Sequence, residues 1–121
     1  MPELDDPCAF RCALAQTLRR LHRRELLSDS PLIDAAFVRR WGEGAGADRL
    51  RSAIAAGVKV MAASSGDRQA ARLLELAFLQ LPRRKQLAVA GELGMGFSTY
   101  RRHLSRAIDA FADLLIGVRE D

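Results

Sequence analysis

The sequence predicts an all-α fold, a bundle of five or six helices in a single domain that spans the 121 residues. Apolar side chains recur every three or four positions through most of the chain, which is the spacing of one face of an α-helix. Alternating apolar and polar residues and hairpin dipeptides such as Asn-Gly are absent, so strands are not predicted. Hydrophobic residues make up 49% of the chain, which is enough to build a core.

The first helix is predicted from about Pro7 to about Arg24, and it opens the part of the chain, about 7–81, that is predicted to support the C-terminal segment. Asp6 suits the position before a helix and the proline suits its first turn. The opposite face carries four arginines, Arg11 among them, and is interpreted as a solvated face. The predicted apolar stripe consists of Phe10, Leu14, Leu18 and Leu21.

Three further helices are predicted in the first two-thirds of the chain. Ser30-Pro31 repeats the start signal and predicts a short helix that ends near Trp41. The glycine-rich segment 42–46 that follows is predicted to be a flexible link. The third helix is predicted over about 48–63 and the fourth over about 67–81, with the aspartate at its start as the cap.

Composition excludes several classes of protein. No apolar run approaches the roughly 18 residues of a membrane span. The N-terminus is acidic and no apolar run follows it, so it is unlike a secretory signal and a cytoplasmic protein is expected. The only cysteines, Cys8 and Cys12, lie four residues apart on a helix, where a disulfide is geometrically awkward, and both are expected to be reduced thiols.

The C-terminal segment, about 83–117, has the pattern of a helix-turn-helix. A short helix over 86–93 is followed by a glycine-containing turn, 94–96, and then by a second helix. Gly94 suits the left-handed conformation that ends the first helix, and Ala90 is small enough for the two helices to cross closely. The side chains predicted to share a core are Val89, Leu93, Met95, Tyr100 and Leu104.

The basic excess of the chain is concentrated on this segment. Nineteen Lys and Arg against fifteen Asp and Glu give a net charge of +4. Residues 83–106 hold six basic residues and one acid, a net +5, so the rest of the chain sums to −1. The six are Arg83, Arg84, Lys85, Arg101, Arg102 and Arg106. A helix that carries clustered arginines is the electrostatic pattern of a nucleic-acid-binding surface.

Residues 86–108 resemble the helix-turn-helix of region 4 of bacterial sigma factors and of LuxR-type regulators. The shared pattern has an alanine within the first helix, a glycine at the turn and a run that reads Thr-Tyr-Arg-Arg-His-Leu-Ser-Arg-Ala over 99–107. The run 97–104, together with 18–23 and 30–32, is similar to a domain at the C-terminus of bacterial multidomain NTPase-type regulators. The sequence has no Gly-x-x-x-x-Gly-Lys-Ser/Thr phosphate loop, so the chain is interpreted as a free-standing version or a fragment.

The resemblance implies that the second helix binds duplex DNA. The residues that it implies for base reading in the major groove are Phe97, Ser98, Arg101 and Arg102. Those that it implies for phosphate binding are Thr99, Arg106 and the cluster Arg83, Arg84 and Lys85. The alternative for Arg101 and Arg102 is that they bind phosphate only. The alternative for Phe97 is that it packs onto the core. Tyr100 takes a position usually held by a small aliphatic residue, which suggests that its hydroxyl reaches the DNA backbone.

Other candidate sites have simpler interpretations. His103 is expected to pack or to lie beside a phosphate, and His22 to lie on the surface. The two cysteines and His22 have no fourth ligand nearby, so no metal site is expected. Asp109 and Asp113, four residues apart, are interpreted as partners of nearby arginines rather than as a catalytic pair. No serine or cysteine has a plausible local base, so no enzyme activity and no cofactor are expected.

We therefore expect sequence-specific binding of double-stranded DNA by a bacterial transcriptional regulator. The alternative is a protein-interaction adaptor that binds another regulator, an NTPase or the transcription machinery. A homodimer is one expectation, with a surface at the stripe of the first helix or at the apolar residues of the last helix, 104–115. A monomer that buries both stripes internally is the other.

Overall fold

The computed structural model describes residues 6–64, 66–80 and 85–118, and within these ranges the chain is helical and has no strand. The all-α prediction is confirmed, but these ranges contain seven α-helices and one π-helical turn, Glu75–Leu79, instead of five or six helices. The α-helices are α1 (Pro7–Arg19), α2 (Arg24–Leu27), α3 (Ala36–Trp41), α4 (Gly46–Ala63), α5 (Arg68–Leu74), α6 (Gln86–Glu92) and α7 (Phe97–Ile116).

The last helix, α7, lies at the centre of the packing. It contacts α1, α4, α5 and α6, while α3 packs against α4. Gly57 of α4 allows this helix to approach α7 closely, because a Cβ there would lie 2.9 Å from the ring of Phe111. The largest fully buried side chains include Leu14, Leu18, Phe37, Leu50, Ile54, Leu74, Tyr100 and Phe111.

The first predicted helix is shorter than its pattern suggests. It ends at Arg19 instead of near residue 24, and a separate turn of helix, α2, follows. The carbonyl oxygen of Leu21 accepts hydrogen bonds from Nε and Nη2 of Arg51, at 3.1 and 2.8 Å. A guanidinium from α4 thus satisfies a carbonyl that a longer α1 would bond within the helix.

The prediction that Ser30-Pro31 starts a helix is wrong. Residues 31–34 form a turn, and α3 begins at Ala36. The hydroxyl of Ser30 is buried and lies 2.8 Å from the hydroxyl of Thr17 on α1. It also accepts a hydrogen bond from the backbone N–H of Leu32 at 3.1 Å. Tertiary pairing of two buried hydroxyls therefore replaces the helix cap that the local pattern predicts.

The predicted flexible link, 42–46, is held at its start by contacts with α4. A Cβ at Gly42 would lie 2.5 Å from the side chain of Arg49 and 2.6 Å from two backbone oxygens, so only glycine fits there. The hydroxyl of Ser52 accepts a hydrogen bond from the backbone N–H of Glu43 at 2.7 Å and contacts its carbonyl oxygen at 3.1 Å. The start of this segment is therefore in close contact with α4.

The fourth predicted helix changes character midway. It is α-helical from Arg68 to Leu74 and continues as the π-helical turn, and its predicted end at Leu81 lies outside the described residues. The side chain of Asp67 makes no capping hydrogen bond. The Nε2 atom of His22 lies 2.6 Å from the carbonyl oxygen of Phe78 in the π-helical turn. His22 is thus half-buried and bonded rather than a free surface residue.

Both apolar stripes that were considered as dimer surfaces pack into the core of the single chain. Phe10, Leu14, Leu18 and Leu21 are 0–4% exposed. On α7, Ile108, Phe111 and Leu115 are buried, and the two remaining leucines of the face are packed against the core. Most of both stripes is therefore covered within one chain, and Leu104 and Leu114 keep partial exposure. Cys8 and Cys12 are both exposed, and no disulfide joins them in this structure.

Candidate nucleic-acid interface

A sharp turn joins α6 to α7. Four residues, 93–96, separate the two helices, and Gly94 has φ +70°, in the left-handed region. The backbone N–H of Met95 donates to the carbonyl oxygen of Ala90 at 3.0 Å, which closes the end of α6. Ala90 is 1% exposed, and Val89 beside it is fully buried. The predicted glycine turn and the burial of Ala90 are both confirmed.

A chain of side-chain hydrogen bonds fixes the start of α7. The hydroxyl of Tyr100, which is fully buried, donates to Oε1 of Gln86 in α6. Nε2 of Gln86 donates in turn to the carbonyl oxygen of Ala77 in the π-helical turn, at 3.3 Å. The expectation that the tyrosine hydroxyl reaches the DNA backbone is therefore wrong, because it points into the protein. Burial also raises the pKa of Tyr100.

The opposite side of α7 is exposed. Ser98, Arg102, Ser105 and Arg106 lie along one side of the helix by its 3.6-residue period, and all four are exposed, as is Thr99 beside them. The buried residues of α7 lie on the other side. The first three turns of this helix therefore present small polar and basic side chains outwards from the core.

Phe97 and Arg101 form a pair at one edge of this face. The ring of Phe97 stacks on that of Tyr100, with 6.2 Å between centroids, yet the residue is 41% exposed. The guanidinium of Arg101 lies 5.9 Å from the Phe97 centroid, within the range of a cation–π contact. The phenylalanine thus packs onto a core residue and still offers an open ring surface.

The charge of this face is positive. Between residues 85 and 106 there are four basic residues and one acid, Glu92. Among the described residues, the side chains of Arg102 and Arg106 form no hydrogen bond or ion pair. Lys85 is exposed and directly precedes α6. Arg83 and Arg84, the other members of the predicted phosphate-binding cluster, lie outside the described residues.

The basic face of α7 is followed along the helix by an ion pair with α1. Nε of Arg11 in α1 lies 2.5 Å from Oδ1 of Asp109, and its Nη2 donates to the hydroxyl of Ser105 at 3.0 Å. The expectation that Asp109 and Asp113 pair with nearby arginines is met only in part: Asp109 pairs with an arginine of another helix, and among the described residues Asp113 forms no ion pair. The prediction that Arg11 lies on a solvated face is therefore wrong, since its guanidinium bonds to α7. No local pattern signals its role, because its partners are 94 and 98 residues away.

The chain matches no protein-family model, no curated protein sequence and no solved structure. The resemblance to sigma region 4 and LuxR-type helix-turn-helix domains therefore stays a prediction. In the described ranges no three His, Cys, Asp or Glu residues come together as a metal site, and no helix is long and apolar enough to cross a membrane.

Proposed function

We propose that α6, the turn 93–96 and α7 form a helix-turn-helix that binds double-stranded DNA, and that the chain is a transcriptional regulator. The observation that carries the proposal is the exposed basic face of the first three turns of α7. This face points away from the core, and its arginines Arg102 and Arg106 have no ion-pair partner among the described residues. A helix presented in this way after a tight turn suits the width of the major groove.

The proposed roles follow the position of each side chain. Base edges are read by Ser98 and Arg102 from the centre of the face and by Phe97 and Arg101 from its edge. Because the guanidinium of Arg101 lies over the Phe97 ring, we propose that these two side chains act together. The proposed phosphate contacts are Lys85, Thr99 and Arg106, with Arg83 and Arg84.

The salt dependence of binding to a random-sequence duplex tests the electrostatic part. Four cations on phosphates, namely Arg83, Arg84, Lys85 and Arg106, predict a log–log slope of about −3.6, at about −0.9 per phosphate. Lys85→Ala should make the slope shallower by about one unit. Arg20→Ala, at an exposed position after α1, is the control and should leave it unchanged. Affinity that does not change with salt would contradict the proposal.

A binding selection from random duplexes tests base reading. Arg101→Ala combined with Arg102→Ala should remove the site preference, since a bidentate arginine–guanine pair contributes about 1–3 kcal/mol of discrimination. The far-ultraviolet circular dichroism should not change, because both side chains are exposed. A double variant with the parent's preference would exclude these two arginines as base readers and leave them as phosphate contacts.

One observation favours the adaptor alternative. Leu87 on α6 is 66% exposed, more than Val60 at 43% or Phe97 at 41%, and a partner protein that covered it would bury apolar surface. If this alternative holds, Leu87→Ser should abolish binding to a regulator, NTPase or transcription-machinery partner. Binding to DNA would then be weak and would not differ between the parent and the variants above.

A further inference from the structure

A groove of about 420 Å³ lies between α5 and α7, on the side of α7 next to its exposed basic face. Its floor is apolar and includes Leu73 of α5, Leu93 and Met95 of the turn before α7, and Ala107 and Ala110 of α7. The volume lies within the range of about 300–1,000 Å³ that is usual for small-molecule sites. The size and the lining together are those of a site for one small ligand.

Small side chains keep the groove open. His103, Ala107 and Ala110 follow one another at spacings of four and three, so they form one stripe of α7. The two alanines of this stripe and Ala70 of α5 line the groove with nothing larger than a methyl group. Larger side chains at these positions would fill the space by packing between the helices.

The rim of the groove is basic. Arg72 of α5 and Arg106 of α7 line it from its two sides, and both are exposed. Among the described residues neither of these arginines is in an ion pair, and Asp67 is the one acid in the lining. Guanidinium groups bind carboxylate and sulfonate oxygens through two parallel hydrogen bonds. The imidazole of His103 offers a further polar contact at the same rim.

We propose that this groove binds a small organic anion with an apolar body, such as an aromatic carboxylate. The carboxylate bonds to Arg72 and Arg106, and the apolar body lies on the alanines and on Met95. A small molecule fits better than a helix of a partner protein, because the lining covers only about two turns of α7, from residue 103 to residue 110.

The position of Arg106 couples this site to DNA binding, and this step rests on the proposed function. Arg106 belongs both to the groove and to the exposed face of α7. A carboxylate that holds this side chain removes it from a DNA phosphate, so ligand and DNA weaken each other's binding by the same factor. The groove is thus the effector site of the regulator.

The binding step is tested without DNA, by titrating the isotope-labelled full chain with 2-naphthoate and recording amide chemical shifts. We expect saturable shifts at residues 66–73, 93–95 and 103–110. The uncharged analogue 2-naphthalenemethanol should bind at least about tenfold more weakly, because it loses the charge-assisted hydrogen bonds. Each of three results would overturn the proposal. These are the absence of a saturable shift at millimolar 2-naphthoate, shifts at other residues of the chain, and equal affinity for both compounds.

Matched variants locate the site. Arg72→Gln should weaken 2-naphthoate by about tenfold or more, whereas Arg68→Gln, on the same helix but outside the lining, should not. Ala110→Leu should block the groove, and Ala88→Leu, exposed on α6, is its control. Equal losses in both arginine variants would show general attraction to positive charge and overturn the proposal. If Ala110→Leu fails to fold, the arginine pair decides.

Competition with duplex DNA tests the coupling. At saturating 2-naphthoate the affinity for DNA should fall, and Arg72→Gln should need about tenfold more ligand for the same fall. If DNA binds with unchanged affinity while the groove is occupied, the effector role is overturned. If the chain does not bind DNA at all, the proposed function fails, while the titration without DNA still decides whether the groove is a site.

Discussion

Replacing Gly94 tests the turn that orients α7. Gly94 has φ +70°, and a Cβ built there meets no heavy atom within 4 Å beyond its neighbours, so alanine would add no clash. The effect of Gly94→Ala is then the cost of holding an L-residue in the left-handed region. We expect a loss of about 1–2 kcal/mol in the free energy of unfolding.

A second glycine three residues earlier provides a matched control. Gly91 lies inside α6, and a Cβ built there also meets no heavy atom within 4 Å. Gly91→Ala should stabilise the protein by about 0.5–1 kcal/mol, because alanine is favoured over glycine inside a helix. The same chemical change at two nearby open positions should therefore have opposite signs, with a separation of about 1.5–3 kcal/mol.

Urea unfolding followed by circular dichroism measures both variants. The midpoint should fall for Gly94→Ala and rise for Gly91→Ala, with an unchanged dependence on urea concentration. Gly94→Asn should recover part of the loss, since asparagine enters the left-handed region more readily than alanine. If Gly94→Ala is as stable as the parent or more stable, the turn between α6 and α7 is not left-handed and the orientation of α7 has to be revised.

Three further substitutions test other buried contacts of the fold. Tyr100 is the only tyrosine, and burial raises its pKa, so its stabilising effect is fully present below about pH 10 and is lost as the pH rises through the folded-state pKa. The absorbance of tyrosinate should therefore appear at a higher pH in the folded protein than in the unfolded chain. Tyr100→Phe should lessen the fall in stability at alkaline pH. Ala90→Leu should cost about 1–3 kcal/mol by overpacking, and the exposed control Ala88→Leu less than about 0.5 kcal/mol; equal melting temperatures would mean that the helix register is wrong. Arg51→Met should cost about 1–3 kcal/mol, because the carbonyl of Leu21 loses both its hydrogen bonds; an unchanged urea midpoint would show that water replaces them.

The helical class and much of the core could be predicted from spacing alone. The stripe that begins at Phe10 is buried, and α4 lies within two residues of its predicted start. The turn at Gly94 was also predictable, because a left-handed residue after a short helix favours glycine for a local steric reason. In each case the signal lies within a few residues of the feature that it predicts.

The helix ends in the first half of the chain were harder to predict. The signal at Ser30-Pro31 is a good local start signal, but a buried pairing with Thr17 takes the hydroxyl of the serine. The carbonyl of Leu21 bonds to Arg51, thirty residues further along the chain. Local propensity is a weak determinant where a tertiary partner satisfies the same backbone or side-chain group.

The sequence by itself determined the helical class of the chain, which faces are apolar, and where the positive charge is concentrated, because these properties depend on neighbours within one or two turns. Only the tertiary structure decided the direction of the Tyr100 hydroxyl, the pairing of Arg11 with Asp109 and the groove between α5 and α7. Each of these depends on groups that are far apart in the chain, 98 residues for the ion pair. Packing of the helices brings such groups together, and the periodicity within one helix does not predict which other helices it packs against.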